Sequence, residues 1–79
     1  MADMKMEDFM EYVIDVSWDE ESQRWMGIND RIPVAFDAET LEELIRNIQL
    51  AASEVISLNH LPPAKSFLFM AEKRVGALA

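Results

Sequence analysis

The chain has no cysteine, a single histidine and only two glycines. The lack of cysteine rules out a disulfide framework and thiolate chemistry, and it favours a reducing compartment. Gly27 and Gly76 are too far apart to form a glycine-rich phosphate loop. His60 has no cysteine or second histidine to complete the usual ligands of zinc. We therefore expect no cofactor and no metal.

Long apolar runs are also missing, since no stretch approaches the roughly 20 residues that span a bilayer. The first ten residues, MADMKMEDFM, are acidic and lack the basic start and apolar centre of a signal peptide. We expect a cytoplasmic protein without membrane contact. With 79 residues the chain forms one domain. A domain this short buries only about 60–65% of its unfolded surface, so self-association or a partner would add stability.

Basic residues are outnumbered seven to fifteen by Asp and Glu, which gives a formal net charge of −8. Residues 1–43 contain thirteen of these acids, whereas residues 44–79 contain two. An acidic first half repels phosphate, so we expect no direct binding of nucleic acid. The same charge would speed the encounter with a basic partner, or it would simply keep a small apolar domain in solution.

The clearest periodic pattern is TLEELIRNIQLAASEVISLN, from Thr40 to Asn59, and it predicts one amphipathic helix. Its apolar face comprises Leu41, Leu44, Ile45, Ile48, Ala52, Val55 and Ile56. Thr40 and Glu43 have the spacing of a capping box at the helix start. Asn59 suits a left-handed position at the helix end, and Pro62 cannot continue the helix.

Four segments have the composition of strands, namely Glu11–Trp18, Arg24–Asn29, Val34–Phe36 and Ser66–Ala71. In the first strand Tyr12, Ile14, Val16 and Trp18 point to one face, and Val13, Asp15 and Ser17 point to the other. The short polar link before Arg24 predicts that the first two strands are antiparallel. Gly27 predicts a bulge, or a place where an aromatic ring lies against bare backbone.

The predicted fold is α+β with the order β-β-β-α-β: a three-stranded antiparallel meander, one helix on one sheet face, and a fourth strand. A single helix leaves the far face of the sheet open, and an open apolar face suits dimerisation or partner binding. The candidates to line this face are Val13, Phe67 or Leu68, Phe69 or Met70, and one tryptophan, and from them we select Val13, Phe67 and Phe69 as the possible dimer residues. We place an N-terminal arm at 1–10, the domain at 11–75 and a frayed end at 76–79.

The segment YVIDVSWDEESQRWMGINDRIPVAFDAETLEELIRNIQLAASEVISLN resembles the HicB-like antitoxin superfamily, and within it a short branch of unknown function. The matching features come in a fixed order along about residues 11–75. They are the alternating strand ending in WDEE, the strand with Trp25, the DRIP turn at 30–33, the AETLEELI helix start, and Asn59 near the helix end.

The resemblance implies a partial ribonuclease-H-like fold and a partnership with a small basic toxin that cleaves mRNA. Many members also carry a C-terminal DNA-binding domain. This sequence departs from the pattern in two ways. Val34 follows Pro33 where many members have glycine, and we expect no DNA-binding domain in the few residues after Ala71.

A ribonuclease H site needs several carboxylates that converge on divalent metal ions. Asp15 is predicted on the sheet face opposite the helix, and Glu42 and Glu43 lie at the helix start, so these acids are not expected to converge. The chain signals no other catalytic set. We therefore expect no enzymatic activity.

The sequence favours a non-enzymatic interaction module that resembles a HicB-type antitoxin and occludes a small basic RNA-cleaving toxin. The candidate partner-binding residues surround the first hairpin, and they are Asp19, Glu20, Glu21 and Trp25. The alternative is a self-associating domain that forms a homodimer through the open sheet face.

Overall fold

The protein is described by a computed structural model covering residues 10–78. Its elements in chain order are β1 (Met10–Asp19), β2 (Arg24–Ile28), β3 (Phe36–Ala38), α1 (Leu41–Leu58) and β4 (Ala64–Glu72). The predicted α+β class and β-β-β-α-β order are confirmed. Apart from Met10, which begins β1, the predicted N-terminal arm lies outside the described residues.

The four strands form one mixed sheet in the order β3-β2-β1-β4. The β1–β2 and β2–β3 pairs are antiparallel, as the short links between these strands predict. After α1 the chain returns to the other side of β1, where β4 pairs parallel with it. This arrangement makes β1 a central strand and leaves β4 at an edge of the sheet.

The third strand lies two residues later than predicted, at Phe36–Ala38 instead of Val34–Phe36. The shift begins at Asn29, whose side-chain oxygen accepts the backbone N–H groups of Arg31 (2.8 Å) and Ile32 (3.2 Å). This bend buries Ile32 and leaves Val34 40% exposed. Strand pairing starts only where Phe36 comes opposite Gly27, so the register with β2, and not local apolarity, decides the position of β3.

One face of the sheet and one face of α1 enclose the core. Nine apolar side chains among residues 10–78 are buried: Tyr12, Ile14, Val16, Ile32, Ala38, Leu44, Ile48, Ala52 and Ile56. Those from the helix follow one another at four-residue steps, so a single stripe of α1 joins alternate residues of β1 in one buried cluster. The predicted inward face of the first strand and the predicted helix stripe therefore form the two halves of the core.

Both ends of α1 have defined caps. At the start, the Thr40 hydroxyl accepts the backbone N–H of Glu43 at 3.1 Å. At the end, the N–H of His60 donates to the carbonyl of Ser57 (3.1 Å) and the N–H of Leu61 donates to the carbonyl of Ile56 (3.0 Å). This pair of bonds is a Schellman motif.

The left-handed residue of this motif is His60, with φ of 56°, whereas Asn59 has φ of −100°. The prediction that Asn59 occupies the left-handed position is therefore wrong by one residue. The reason is that Asn59 still belongs to the helix end: its backbone N–H and its side-chain amide both donate to the carbonyl of Val55, at 3.1 and 2.8 Å.

Gly27 lies in a continuous part of the β1–β2 ladder, directly opposite Val16. The predicted bulge is therefore wrong, and the aromatic residue placed beside Gly27 by the β2–β3 register is Phe36. The atoms closest to a Cβ placed on Gly27 belong to the aliphatic side chains of Ile14, Ile48 and Leu44. Glycine is needed here because the helix packs against the backbone of β2 itself.

No helix in the described part of the chain has both the length and the apolarity needed to cross a bilayer.

Candidate interaction surface

The sheet face that points away from α1 is built by strand register. In the parallel β1–β4 pair, Val13 lies beside Leu68 and Asp15 lies beside Met70. Across the antiparallel β1–β2 pair, Asp15 also faces Ile28. Side chains alternate along a strand, so these residues share the face opposite the buried Tyr12, Ile14 and Val16. We call this surface the open face; it comprises Val13, Asp15, Ser17, Met26, Ile28, Leu68 and Met70.

The apolar residues of the open face remain accessible. Val13 is 37% exposed, Leu68 44%, Ile28 52% and Met70 56%. Ile28 and Met70, together with Asp15, Ser17 and Met26, line a shallow depression of about 430 Å³. Because these apolar residues are contiguous and not scattered, the open face is the candidate interaction surface of the domain.

The charged groups on and around the open face are mostly acidic. Asp15 lies within it, and Glu72 and Asp37 lie at its margins on β4 and β3. Arg24, at the start of β2, is paired with its Nε 3.1 Å from Asp37 and a terminal nitrogen 4.0 Å from Glu39. The surface therefore combines an apolar centre with a negative margin.

The predicted dimer residues do not share one face. Val13 lies on the open face, but Phe67 and Phe69 pack against the core on the side of α1, and the Phe67 ring centroid is 6.2 Å from that of Tyr12. In the segment SFLFMA, Phe67 and Phe69 alternate with Leu68 and Met70, and both sets are apolar. The sequence pattern therefore cannot show which set faces the helix. The register assigns Leu68 and Met70, not the two phenylalanines, to the open face.

The predicted acidic residues Asp19, Glu20 and Glu21 do come together, at the turn between β1 and β2. The Asp19 carboxylate accepts the backbone N–H of Glu21 (3.2 Å) and the hydroxyl of Ser22 (2.8 Å), so it stabilises the turn. Gln23 closes the turn in a left-handed conformation, with φ of 59°. The Asp19 side chain thus has a structural role in the hairpin.

The fourth predicted residue, Trp25, lies opposite Trp18 on the side of the sheet that carries α1. The two rings meet edge to face, with centroids 5.3 Å apart and an interplanar angle of 64°. The Trp18 indole N–H donates to the Glu20 carboxylate at 2.7 Å. Lys73 places its Nζ 4.5 Å from the Trp18 centroid and 5.7 Å from the Trp25 centroid.

Sequence reasoning missed the contact of Lys73 with the two tryptophans. Lys73 follows the end of β4 and is brought to the hairpin because Ser17 pairs with Glu72 in the parallel β1–β4 ladder. The presence of a basic residue just after a strand does not indicate how that strand is aligned with β1. The contact would have been predicted only by aligning the ends of the first and last strands.

The carboxylates considered for catalysis stay apart. Asp15 lies on the open face, whereas Glu42 and Glu43 are in the first turn of α1, on the other side of the sheet. Within residues 10–78, no group of three or more His, Cys, Asp or Glu residues is placed to hold a metal ion.

Within the part of the chain that the structure describes, a clear pKa shift belongs to a core residue. Burial raises the pKa of Tyr12 above its usual value, and Arg31 opposes part of this rise. The Tyr12 hydroxyl donates to the carbonyl of Pro62. This bond ties the link between α1 and β4 to the central strand, so the role of Tyr12 is structural.

These observations define a small α+β domain in which one helix covers one face of a mixed four-stranded sheet. The chain belongs to the domain of unknown function family DUF1902, whose family model matches residues 11–78. The predicted place in a short family of unknown function is thereby confirmed, and the link to HicB-like antitoxins stays a prediction.

A solved structure with the same fold is the crystal structure of a hypothetical protein from the extremely thermophilic bacterium Thermus thermophilus. It is 23% identical in sequence, the TM-score is 0.66, and the match covers 87% of this chain and 99% of that one. No curated protein matches the chain.

Proposed function

We propose that this domain is a non-enzymatic protein-interaction module that binds and occludes a small basic RNA-cleaving protein, in the manner of a HicB-type antitoxin. The observation that carries the proposal is the open face, where four exposed apolar side chains surround Asp15 inside an acidic margin. The resemblance of the sequence to HicB-like antitoxins suggests the kind of partner.

In the proposed complex, the apolar and the charged groups of the surface contribute to binding in different ways. Burial of the open face contributes affinity at roughly 25 cal/mol per Å² of apolar surface removed from water. The carboxylates contribute a faster encounter with a basic protein and discrimination against acidic ones. Arg24 pairs with Asp37 and cancels its charge, so the negative field comes from Asp15, Glu72 and the carboxylates of the first hairpin. We therefore expect association to weaken as salt is added.

The proposal of a non-enzymatic role is supported by the separation of the carboxylates. Asp15 faces solvent on one side of the sheet, and Glu42 lies with the helix on the other. Acid–base or two-metal chemistry needs such groups within a few ångströms of a common substrate atom. Occlusion needs only a complementary surface.

The test is a pull-down from native lysate at low salt with the tagged full chain, followed by identification of the bound proteins. We expect a small basic RNA-cleaving or RNA-binding protein that is lost as salt rises. Met70→Lys, on the open face, should abolish its recovery. Leu50→Lys is the matched control, because Leu50 is 75% exposed but lies on α1. Equal recovery with both variants would contradict a role for the open face.

A second candidate function is homodimerisation through the same open face, and the apolar Val13–Leu68 pair of neighbouring strands favours it. A two-fold dimer would place identical apolar patches against each other and bury them in both copies. Light scattering separates the two functions. A dimer that becomes a monomer in Met70→Lys, with no second protein recovered from lysate, would establish self-association as the role of the face.

A further inference from the structure

The Trp18–Trp25 pair and Lys73 form a cation–π site at the hairpin end of the sheet. The face of an indole ring is the strongest aromatic binder of cations among protein side chains. Lys73 Nζ is 4.5 Å from one ring centroid and 5.7 Å from the other, so a single ammonium group contacts both rings. The site thus already contains an intramolecular cation.

The two rings are held in place independently of Lys73. Trp25 packs against the core, and its edge-to-face contact fixes the angle between the rings. The Trp18 N–H donates to Glu20 at 2.7 Å, and a bond to a carboxylate also increases the electron density of the ring. A site whose walls are fixed in advance loses little entropy when a new cation enters.

Charge around the site favours a second cation. Asp19, Glu20 and Glu21 lie at the adjoining turn. Of the basic residues, Lys73 contacts the rings, Arg74 follows it in the chain, and Arg24 is paired with Asp37. The carboxylates therefore exceed the local cations. Lys73 itself is exposed and lies beyond the end of β4, so its side chain can leave the rings without disturbing the sheet.

We propose that the Trp18–Trp25 pair is a receptor for an arginine or lysine side chain of the basic partner, and that Lys73 is a built-in competitor which this side chain displaces. The inference rests on the proposed function for the identity of the partner. Arginine is the stronger competitor, because its planar guanidinium stacks on an indole and is less strongly hydrated than an ammonium group. Lys73 then lowers affinity for weakly cationic surfaces and raises selectivity for arginine-rich ones.

The experiment uses the full chain and an arginine-rich peptide, with a glutamate-rich peptide of equal length as the negative probe. Both tryptophans of the chain belong to the site, so their fluorescence reports its occupant directly. Lys73→Gln should change the emission of the free protein and strengthen peptide binding by roughly two- to fivefold, the range expected for an exposed cation–π contact. Trp18→Phe should weaken binding of the peptide.

Arg74→Gln is the matched control, since it removes the same charge from the neighbouring position. If Arg74→Gln strengthens peptide binding as much as Lys73→Gln does, the effect is one of net charge and the competitor role is overturned. Unchanged emission in Lys73→Gln would overturn it as well.

Failure of this inference can be distinguished from failure of the proposed function. A basic protein recovered from lysate with equal affinity for wild type and Lys73→Gln would overturn the competitor role and leave the proposed function standing. Peptide binding that responds to Lys73→Gln but not to Arg74→Gln would support the cation site even if the lysate yields no basic protein.

Discussion

Gly27 and Ile48 lie so close together that a Cβ atom on Gly27 would stand 3.2 Å from Cδ1 of Ile48. The same atom would be 3.1 Å from Cγ2 of Ile14. Both isoleucines are fully buried, so neither can move aside into solvent. The helix therefore sits on the sheet at the one place where β2 presents backbone instead of a side chain, and this contact sets how closely the two layers approach.

Gly27→Ala should destabilise the fold by about 1 kcal/mol, as overpacking by one methyl outweighs the gain from a stiffer unfolded chain. Gly76→Ala is the matched control, because nothing lies within 4 Å of a Cβ at that position. In urea denaturation, the free energy of unfolding of Gly76→Ala should be within about 0.5 kcal/mol of that of wild type. Equal urea midpoints for the two variants would show that the side chains of Ile14 and Ile48 can shift to accommodate the added methyl group.

His60→Gly should stabilise the domain by roughly 1 kcal/mol, because a left-handed backbone costs an ordinary residue about 1–2 kcal/mol that glycine avoids. Asn59→Gly is the contrasting variant. Asn59 has a negative φ, and its side chain bonds to Val55, so glycine there should destabilise the fold. Thermal unfolding that ranks the two variants in the opposite order would place the left-handed residue at Asn59.

Thr40→Ala should cost about 1 kcal/mol, since it removes the acceptor for the backbone N–H of Glu43 at the start of α1. Thr40→Ser keeps that acceptor and should remain within a few tenths of a kcal/mol of wild type. Helical circular dichroism through a urea titration measures both. A loss of equal size in the serine variant would point to the threonine methyl group instead of the cap.

Tyr12→Phe should remove the bond to the Pro62 carbonyl and cost about 1 kcal/mol at neutral pH. The pH dependence follows from the raised pKa of Tyr12. Because the folded state holds the phenol proton more tightly than the unfolded state does, stability is intact below the ordinary tyrosine pKa of about 10 and falls above it. Unfolding curves between neutral pH and about pH 11 should show a steeper loss in wild type than in Tyr12→Phe, and parallel losses would contradict this linkage.

Glu21→Lys should slow association with the basic partner by roughly two- to tenfold at low salt, with a smaller effect at high salt. Glu21 is chosen because its bond to Asp19 uses the backbone N–H, so the turn does not depend on its side chain. Glu54→Lys has the same charge change on the exposed surface of α1 and serves as the control. Stopped-flow rates that fall equally in both variants would indicate net charge, not the hairpin.

Local patterns in the sequence were sufficient for the elements and most of the core. The three- and four-residue repeat of α1, the Thr40 cap and the alternation of β1 each depend on residues close in the chain, and each matches the structure. Apart from the one-residue error at the end of α1, where Asn59 bonds to Val55 and His60 is left-handed, the errors are of another kind. The position of β3 and the neighbours of Gly27 depend on which strand pairs with which, and no local pattern contains that information.

The candidate site divides in the same way. The amino-acid sequence by itself determined that an α+β domain with an acidic first half would carry an uncovered sheet face, because one amphipathic helix can cover only one side of a sheet. Only the tertiary structure decided that Leu68 and Met70 form that face while Phe67 turns inward, and that Lys73 reaches Trp18. The reason is the parallel register of β4 on β1. Both alternating sets of residues in β4 are apolar, so either set could face the helix, and the pairing with β1 determines which set does.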